Sequence, residues 1–410
     1  MSISDISTYS SSEDSLGELP KSWEASRSND WSMSAKVIIL KAASYLTDPI
    51  CKVREYYYSF YILDETSGST AQKVMKVASL VLGIVAFSLL TPLTAPIGAA
   101  LRGMVSNLES KPYIYWENGQ RGKVLPADKK ITLVSHNQCY MPGGYSITDG
   151  QVTPPSDKER MDRNIRMLKE LNPDIICLYE VPDICDASYL SSQLSEYPFM
   201  IPVAGIRAIG PSSGIYIASK YEIVEGSIEF VPFVKGTELT GRAQFAEKGF
   251  LSFDLKGQGG SAPTTVISTH LQHSEIPAVP IDHEERSRAM QMLKIARQIQ
   301  KKVEAGHNVI FTGDLNQEEE ELNAFLERHE INWLRRDASV EGTPTWGGDQ
   351  WCADLTGKAA SGSLVLDYTL IAGKATAIST KIIGTGYSGS EFRRTATSDH
   401  DLLFSTITVG

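Results

Sequence analysis

No Cys-x-x-Cys pair occurs in the 410-residue sequence, and its five cysteines (Cys51, Cys139, Cys177, Cys185 and Cys352) stand at irregular intervals. That argues against a paired-thiolate zinc site and, with an odd count, against a disulfide framework; reduced thiols fit better. Positive charge is also scarce: 39 Lys and Arg face 49 Asp and Glu, a net charge of −10. A protein that neutralises phosphate backbones needs a broad basic surface, so nucleic acid is an unlikely partner on this ground. The N-terminus lacks a basic stretch followed by an apolar one and does not read as a secretory signal peptide. No internal repeat is present. What is present is 42% hydrophobic residues, enough for a sizeable core.

Three regions differ in texture. Residues 1–33 are serine-rich and acidic and read as disordered. Residues 34–124 hold the hydrophobic material. Between Lys76 and Arg102 runs an uncharged stretch, "VASLVLGIVAFSLLTPLTAPIGAAL". About 20 apolar residues cross a bilayer core, so this segment, 77–101, predicts membrane association. Pro92 and Pro96 favour a kink, so a monotopic or re-entrant insertion fits as well as a span. Lys73, Lys76 and Arg102 suit lipid headgroups. "AKVIILKAASYL" (35–46) reads as an interfacial helix extended by Tyr56, Tyr57, Tyr58, Phe60 and Tyr61. The competing reading of 77–101 is a buried helix of a soluble core.

From 125 to 410 short apolar runs alternate with helical patterns. "ITLVS" (131–135), "IICLY" (175–179), "GIYIAS" (214–219), "FLSFDL" (250–255), "TTVIST" (264–269), "NVIFTG" (308–313), "LDYTLI" (366–371) and "LLFSTITV" (402–409) predict strands. Met161, Ile165, Leu168 and Leu171 mark one helix, and Ala289, Leu293, Ala296, Ile299 and Val303 another. Polar residues sit at the strand edges: His136 and Asn137, Glu180, His270, Asp314 and Asn316, Asp367, and Asp399 with His400. Singly, each is most simply a turn former. Together they are oxygen ligands for a hard divalent cation plus acid/base imidazoles. Asp314 and Asn316, two apart, are expected on one face of an extended chain. Glu318 to Glu321 reads instead as the acidic first turn of a helix, and His273 and His283 as loop residues.

The ordered set "HNQCYMP", "DIICLYEV", "SSGIYIASKYEIV", "VISTHLQ", "FTGDLNQ", "LDYTLI" and "TSDHDLL" resembles the endonuclease/exonuclease/phosphatase superfamily. With "KGFLSFDL" and the hydrophobic segment upstream of "KPYIYWENGQRG", it is most similar to neutral sphingomyelinases of the membrane-attached type. The resemblance implies an α/β fold: two mixed β-sheets packed face to face and flanked by helices, a four-layer sandwich, preceded by the hydrophobic segment. It implies phosphodiester hydrolysis with Mg2+ (Mn2+ as a substitute), releasing phosphocholine and ceramide from sphingomyelin. Partners would be a phospholipid membrane, the sphingolipid substrate and anionic phospholipids.

On that reading His400 is the general base, with Asp367 or Asp399 fixing its tautomer. Glu180 ligates the metal with Asn137 beside it. Asn316 and His270 donate to phosphoryl oxygens, Asp314 orients the attacking water, and Lys248 contacts phosphate. Two departures stand out. The membrane-attached type carries an Asp five residues before the Lys of its Lys-Gly motif as part of an activation switch, where this chain has Ala243. The aromatic hairpin of secreted bacterial sphingomyelinases is reduced to Tyr387 and Phe392. Trp346 and Trp351 stand where the resemblance places a substrate-side loop, and aromatic packing under a loop accounts for them at least as well. The alternatives are an inositol-phosphate phosphatase or nuclease on the same site, or an inactive membrane-tethered scaffold. The serine-rich start also suits a secreted bacterial effector at host membranes.

Overall fold

A computed structural model describes residues 31–59, 69–107, 111–125, 130–141, 158–207, 210–257, 262–274, 281–347, 363–385 and 397–410. The expectation of disorder for the serine-rich start falls outside them except at 31–33, and Trp351, Tyr387 and Phe392 lie outside them too. In chain order the helices are α1 (Trp31–Ser59), α2 (Thr70–Asn107), α3 (Lys158–Leu171), α4 (Ile184–Gln193), α5 (Ile281–Glu304) and α6 (Glu319–Arg328). The strands are β1 (Tyr113–Glu117), β2 (Lys130–Asn137), β3 (Ile175–Tyr179), β4 (Phe199–Ala204), β5 (Tyr216–Ser219), β6 (Glu229–Pro232), β7 (Gly249–Leu255) and β8 (Thr264–His270). They continue with β9 (Asn308–Asp314), β10 (Arg335–Arg336), β11 (Trp346–Gly347), β12 (Ser363–Leu364), β13 (Asp367–Gly373), β14 (Ala377–Ile383) and β15 (Leu402–Thr408).

The apolar runs become central strands because both their faces are covered. One sheet has the order β1-β4-β5-β3-β2-β15-β14, the other β10-β13-β9-β8-β7-β6. Both are mixed: β2 with β3 and β8 with β9 run parallel, and their other partners antiparallel. Alternation splits each strand between two cores. On β9, Ile310 joins the core between the sheets, with Leu133, Ile175, Leu251 and Val266. Its neighbours Val309 and Phe311 turn outward against Met292, Ile295 and Ile299 of α5 and Leu322 and Phe325 of α6. The outer face of the first sheet meets Met161, Ile165 and Leu168 of α3 and Ile184 and Leu190 of α4. The result is the expected four-layer sandwich of helix, sheet, sheet and helix. Each fully buried Val, Ile, Leu or Phe contributes about 1.5–3 kcal/mol.

Polar groups also lie between the sheets. Tyr179 Oη sits 3.1 Å from Ser135 Oγ and 3.3 Å from Ser268 Oγ, linking β3, β2 and β8. Thr312 Oγ1 meets Thr369 Oγ1 at 3.0 Å across β9 and β13. A hydrogen bond of this kind is worth about 1 kcal/mol net, but leaving such a group unpaired in the core costs more, so the network specifies how the sheets meet.

Two expectations change, and one competing reading falls. β1 lies ahead of residue 125 yet pairs with β4, so the sheet takes in part of the region read as hydrophobic leader. The stretch 77–101 is not a buried core helix: only 6% of the most apolar window of α2 is covered. Pro92 and Pro96 both lie inside α2. Finally, α1 is not a free interfacial helix. Val37 and Leu40 are buried in the core that includes α3 and α4, and Ser44 Oγ donates to Asp183, the N-cap of α4. α1 and α2 form a hairpin, with Tyr56 stacked on Phe87 at 5.7 Å. Gly98 makes the close approach: a Cβ there would stand 2.9 Å from Ala43 O.

Candidate active site

Strand register alone aligns three predicted residues. Parallel pairing of β8 with β9 sets His270 beside Asp314, and antiparallel pairing of β9 with β13 sets Asp314 beside Asp367. The other sheet closes the cleft from across the sandwich. Asn137, the last residue of β2, donates from Nδ2 to Asp314 Oδ2 at 2.9 Å. His400 lies just before β15, its Nδ1 at 2.7 Å from Asp367 Oδ2 and its Nε2 at 3.7 Å from Asp314 Oδ2. His270 Nε2 stands 3.6 Å from Asp314 Oδ2 and 3.9 Å from Glu180 Oε1. Residues dispersed from 137 to 400 therefore meet around Asp314.

The two candidates for orienting His400 separate. Asp367 holds the ring; Asp399 accepts from Trp346 Nε1 at 3.2 Å instead. The two-residue argument for Asp314 and Asn316 does not hold. β9 ends at Asp314, and Asn316 sits at φ 48° with its backbone N–H donating to Asp314 Oδ1 at 2.9 Å. The pair is a turn closed by the Asp side chain, not two residues of an extended strand. Asn316 Nδ2 lies 3.4 Å from Leu271 O, and Lys248 Nζ donates to the same carbonyl at 2.6 Å. His136 is not in the cleft: it is fully buried between Gln138 Nε2 at 2.6 Å and His400 O at 3.2 Å. His283 lies in α5 rather than a loop, and Glu319 to Glu321 form the first turn of α6 as expected.

Backbone strain concentrates here. Cys139, Glu180 and Asn316 all have positive φ. For residues other than Gly such conformations cost about 1–3 kcal/mol and persist only where the surroundings impose them. At Glu180 the imposing neighbour is Gly214, itself at φ 76°, whose carbonyl accepts from Val181 N at 3.0 Å. A Cβ on Gly214 would stand 3.2 Å from Glu180 Cα.

The electrostatics are those of charge crowded out of water. Asp314, Asp367 and Asp399 are buried, and Glu180 is half-buried, against Lys248 and His400. Burial and the charges of Asp399 and Asp314 push the Glu180 carboxyl up to about 7. Burial, with Asp314 close by, pushes Asp367 up to about 6. Burial lowers Lys248 to about 8 despite Glu180 and Asp314. Burial alone would lower His400, but Asp367 and Asp314 outweigh it and hold the ring's proton affinity well above the ordinary histidine range. Burial, helped by Lys248, drives His270 the other way, so that imidazole is neutral. Two imidazoles a few ångströms from one carboxylate are thus pushed in opposite directions, an asymmetry suited to acid/base work.

An excess of buried carboxylate with an amide oxygen nearby fits a hard divalent cation. Asp314, Asp367 and His400 offer ligand atoms within 4.8 Å of one another. That trio differs from the expected pair, Glu180 and Asn137. His400 Nδ1 is already engaged with Asp367, so a cation there would take Nε2, the nitrogen that faces Asp314 and that a general base needs free. The Glu180 side, with Asp399 adding charge, keeps the dyad intact. Ser398, which the sequence reading passed over, joins the two halves: its Oγ donates to Asn137 O at 2.5 Å and accepts from His400 N at 3.1 Å. Its place in "TSDH" beside the assigned His was the available signal.

The description Endonuclease/Exonuclease/phosphatase family belongs to the family model that matches residues 141–400, well over half of the chain. No curated protein matches the sequence. Among solved structures, a beta toxin from Staphylococcus aureus is 19% identical, with 67% of this chain and 99% of that one aligned at TM-score 0.53. Sphingomyelinase C from Streptomyces griseocarneus is 18% identical over 68% of this chain and 99% of the other, at TM-score 0.50. Truncated Caenorhabditis elegans TDP2 follows at 18% identity, 68% and 98% coverage and TM-score 0.46. Likeness at these identities establishes the fold and leaves the substrate to the residues. The expectation that nucleic acid is not a partner, which rested on net charge, finds no support in it.

Proposed function

This chain belongs to the endonuclease/exonuclease/phosphatase family, and on that premise we propose that it is a divalent-metal-dependent sphingomyelin phosphodiesterase working at a membrane surface. The observation that carries the chemistry is the His400–Asp367 dyad facing Asp314, with His270, Lys248 and Glu180 around the same pocket. The observation that favours a lipid is the hairpin on the same domain. α2 exposes Leu82, Leu89, Leu93 and Ile97 at 54–69%.

In the proposed reaction a water oxygen attacks phosphorus and its proton passes to His400 Nε2. The bond from phosphorus to the ceramide oxygen breaks, phosphocholine departs, the ceramide alkoxide takes a proton from solvent water, and the His400 imidazolium returns its proton to solvent. Asp367 on Nδ1 leaves Nε2 aimed into the pocket and stabilises the imidazolium that forms; such proton transfer is worth about 10²–10⁴-fold. Asp314 orients the water, and Asn316, neutral His270 and Lys248 face the phosphoryl oxygens as their charge grows. Glu180, with Asn137 beside it, would hold Mg2+, or Mn2+ in its place, which would supply charge neutralisation to the reacting phosphate.

The hairpin supports a monotopic arrangement. α1 carries Lys52, Arg54 and Glu55 in the half that packs on the apolar run of α2. Each charge carried to mid-bilayer would cost about 2.5–3.5 kcal/mol, so the pair is better suited to α2 facing lipid and α1 facing headgroups, anionic ones included. The test is hydrolysis of vesicles containing labelled sphingomyelin or phosphatidylcholine, labelled phosphoinositide and plasmid DNA, each with Mg2+ or with EDTA. Phosphocholine from sphingomyelin with Mg2+ alone is expected. Faster cleavage of DNA or phosphoinositide overturns the substrate, and turnover of none overturns the enzyme.

A further inference from the structure

Arg160 is the third residue of α3 and is 1% exposed. Local physics disfavours it twice. A cation in the first turn of a helix opposes the helix dipole, and a buried charge needs compensation that water no longer supplies. The compensation is specific. Nη1 donates to Gln138 O at 2.8 Å and Thr397 O at 3.1 Å, and Nη2 to Cys139 O at 2.9 Å. The guanidinium also lies 4.7 Å from the centre of the Tyr140 ring. One turn later, Asn164 Nδ2 donates to Tyr140 Oη at 2.8 Å and reaches Thr397 O at 3.3 Å.

The carbonyls that Arg160 gathers belong to two segments remote in sequence. One continues from Asn137 at the end of β2; the other precedes β15 and carries Asp399 and His400. Cys139, whose carbonyl Arg160 holds, is one of the strained residues at φ 51°, and its amide is tied to Asn137 Oδ1 at 2.9 Å. We propose that Arg160 is a positioning residue that clamps the 137–140 and 397–400 segments together, so that Asn137 and the His400 base hold their places relative to Asp314. Its planar fork reaches three carbonyls at fixed angles, which a lysine ammonium on a flexible stem does not reproduce. The signal in the sequence was polar Arg160 and Asn164 at i and i+4, beside the apolar stripe 161, 165 and 168.

The proposal rests on the phosphodiesterase reading for its kinetic arm only. Arg160→Met is expected to lower kcat by about 10²-fold, the scale of a 1 Å misplacement, with KM changed far less, and Arg160→Lys to fall between. Leu168→Ala, a buried change on the same helix, is the comparator: it lowers the melting temperature while kcat below the transition stays near parental. Amide hydrogen exchange on the full chain, followed by mass spectrometry, supplies the arm that needs no substrate. In Arg160→Met, or in Arg160→Lys if the first variant does not fold, exchange should rise together in 137–140 and 397–401. Parental kcat in Arg160→Met, an equal kcat loss in Leu168→Ala, or exchange that rises only within α3 would each overturn the clamp. A parent that cleaves no phosphodiester defeats the enzyme reading, and the exchange arm still decides this one.

Discussion

The cleft and the hairpin break the ordinary rule of burial in opposite senses. In the cleft, Asp314 is 1% exposed and His400 4%; on the hairpin, Leu82 is 69% exposed and Leu93 68%. Buried charge and exposed apolar surface are both costly in water, and a fold retains them where function compensates. In the cleft the compensation is mutual: Asp367, Asp314 and His400 satisfy one another, and strain at Glu180 and Cys139 is held by the neighbouring chain. On the hairpin nothing within the described residues compensates, which is why a lipid surface enters the proposal at all.

Four experiments break or sharpen that contrast. His400→Ala should lower kcat on sphingomyelin vesicles by about 10³–10⁴-fold with the melting temperature little changed, since general-base catalysis and its positioning are lost together. A variant retaining a tenth of parental kcat removes His400 as the base. Asp367→Asn should lower kcat by about 10²-fold and shift the pH profile. In the parent, His400 must be deprotonated to act, and Asp367 and Asp314 hold its proton affinity high. Activity should therefore fall as pH drops through a value above the usual ~6.5. Without Asp367 that limb should move to lower pH, and a limb that stays in place assigns it to another group.

On the hairpin side, the triple change Leu82→Glu, Leu89→Glu and Leu93→Glu should reduce vesicle binding and vesicle hydrolysis by about tenfold or more. Hydrolysis of a water-soluble short-chain substrate should persist. Equal loss on both substrates would mean that the face supports the fold rather than meeting lipid. The smallest effect is expected at a carboxylate outside both regions. Asp337 accepts from Ser339 N at 2.9 Å and Thr380 N at 2.6 Å. Burial opposes ionisation, but these amides prevail and hold its carboxyl below the usual range. Its contribution is therefore complete above the unfolded value of ~3.9 and lost as pH falls through the depressed folded one. Asp337→Ala should cost about 1 kcal/mol in urea unfolding at pH 7 and progressively less as pH falls below ~3.9. A cost independent of pH would mean that the amide bonds do not depend on the charge.

Which elements were legible follows from how they are buried. β3, β8, β9 and β13 are covered on both faces, so they read as unbroken apolar runs. β14 is an edge strand with mostly exposed or half-exposed residues and shows no such run. β4 contains Pro202, which weakens its strand signal. α1 read as an interfacial helix because an apolar stripe does not say whether lipid or protein will cover it; Val37 and Leu40 are covered by protein. Within the cleft, the residue types were visible at strand ends, whereas the partner of His400 was not. Asp399 adjoins it in the chain, yet Asp367, 33 residues earlier, holds its ring.

Local chemistry, written directly in the order of residues, determined the strands, the polar groups at their ends and the uncharged stretch of α2. Tertiary structure alone decided that Asp314 stands between His270 and Asp367, that Asp367 rather than Asp399 holds the His400 ring, that Asn316 lies in a turn, and that Arg160 is drawn under two loops. The physical reason is range. Apolar periodicity acts over a few residues, while a hydrogen bond to a buried carboxylate or carbonyl is settled by whichever chain segment the sheet register brings within 3 Å.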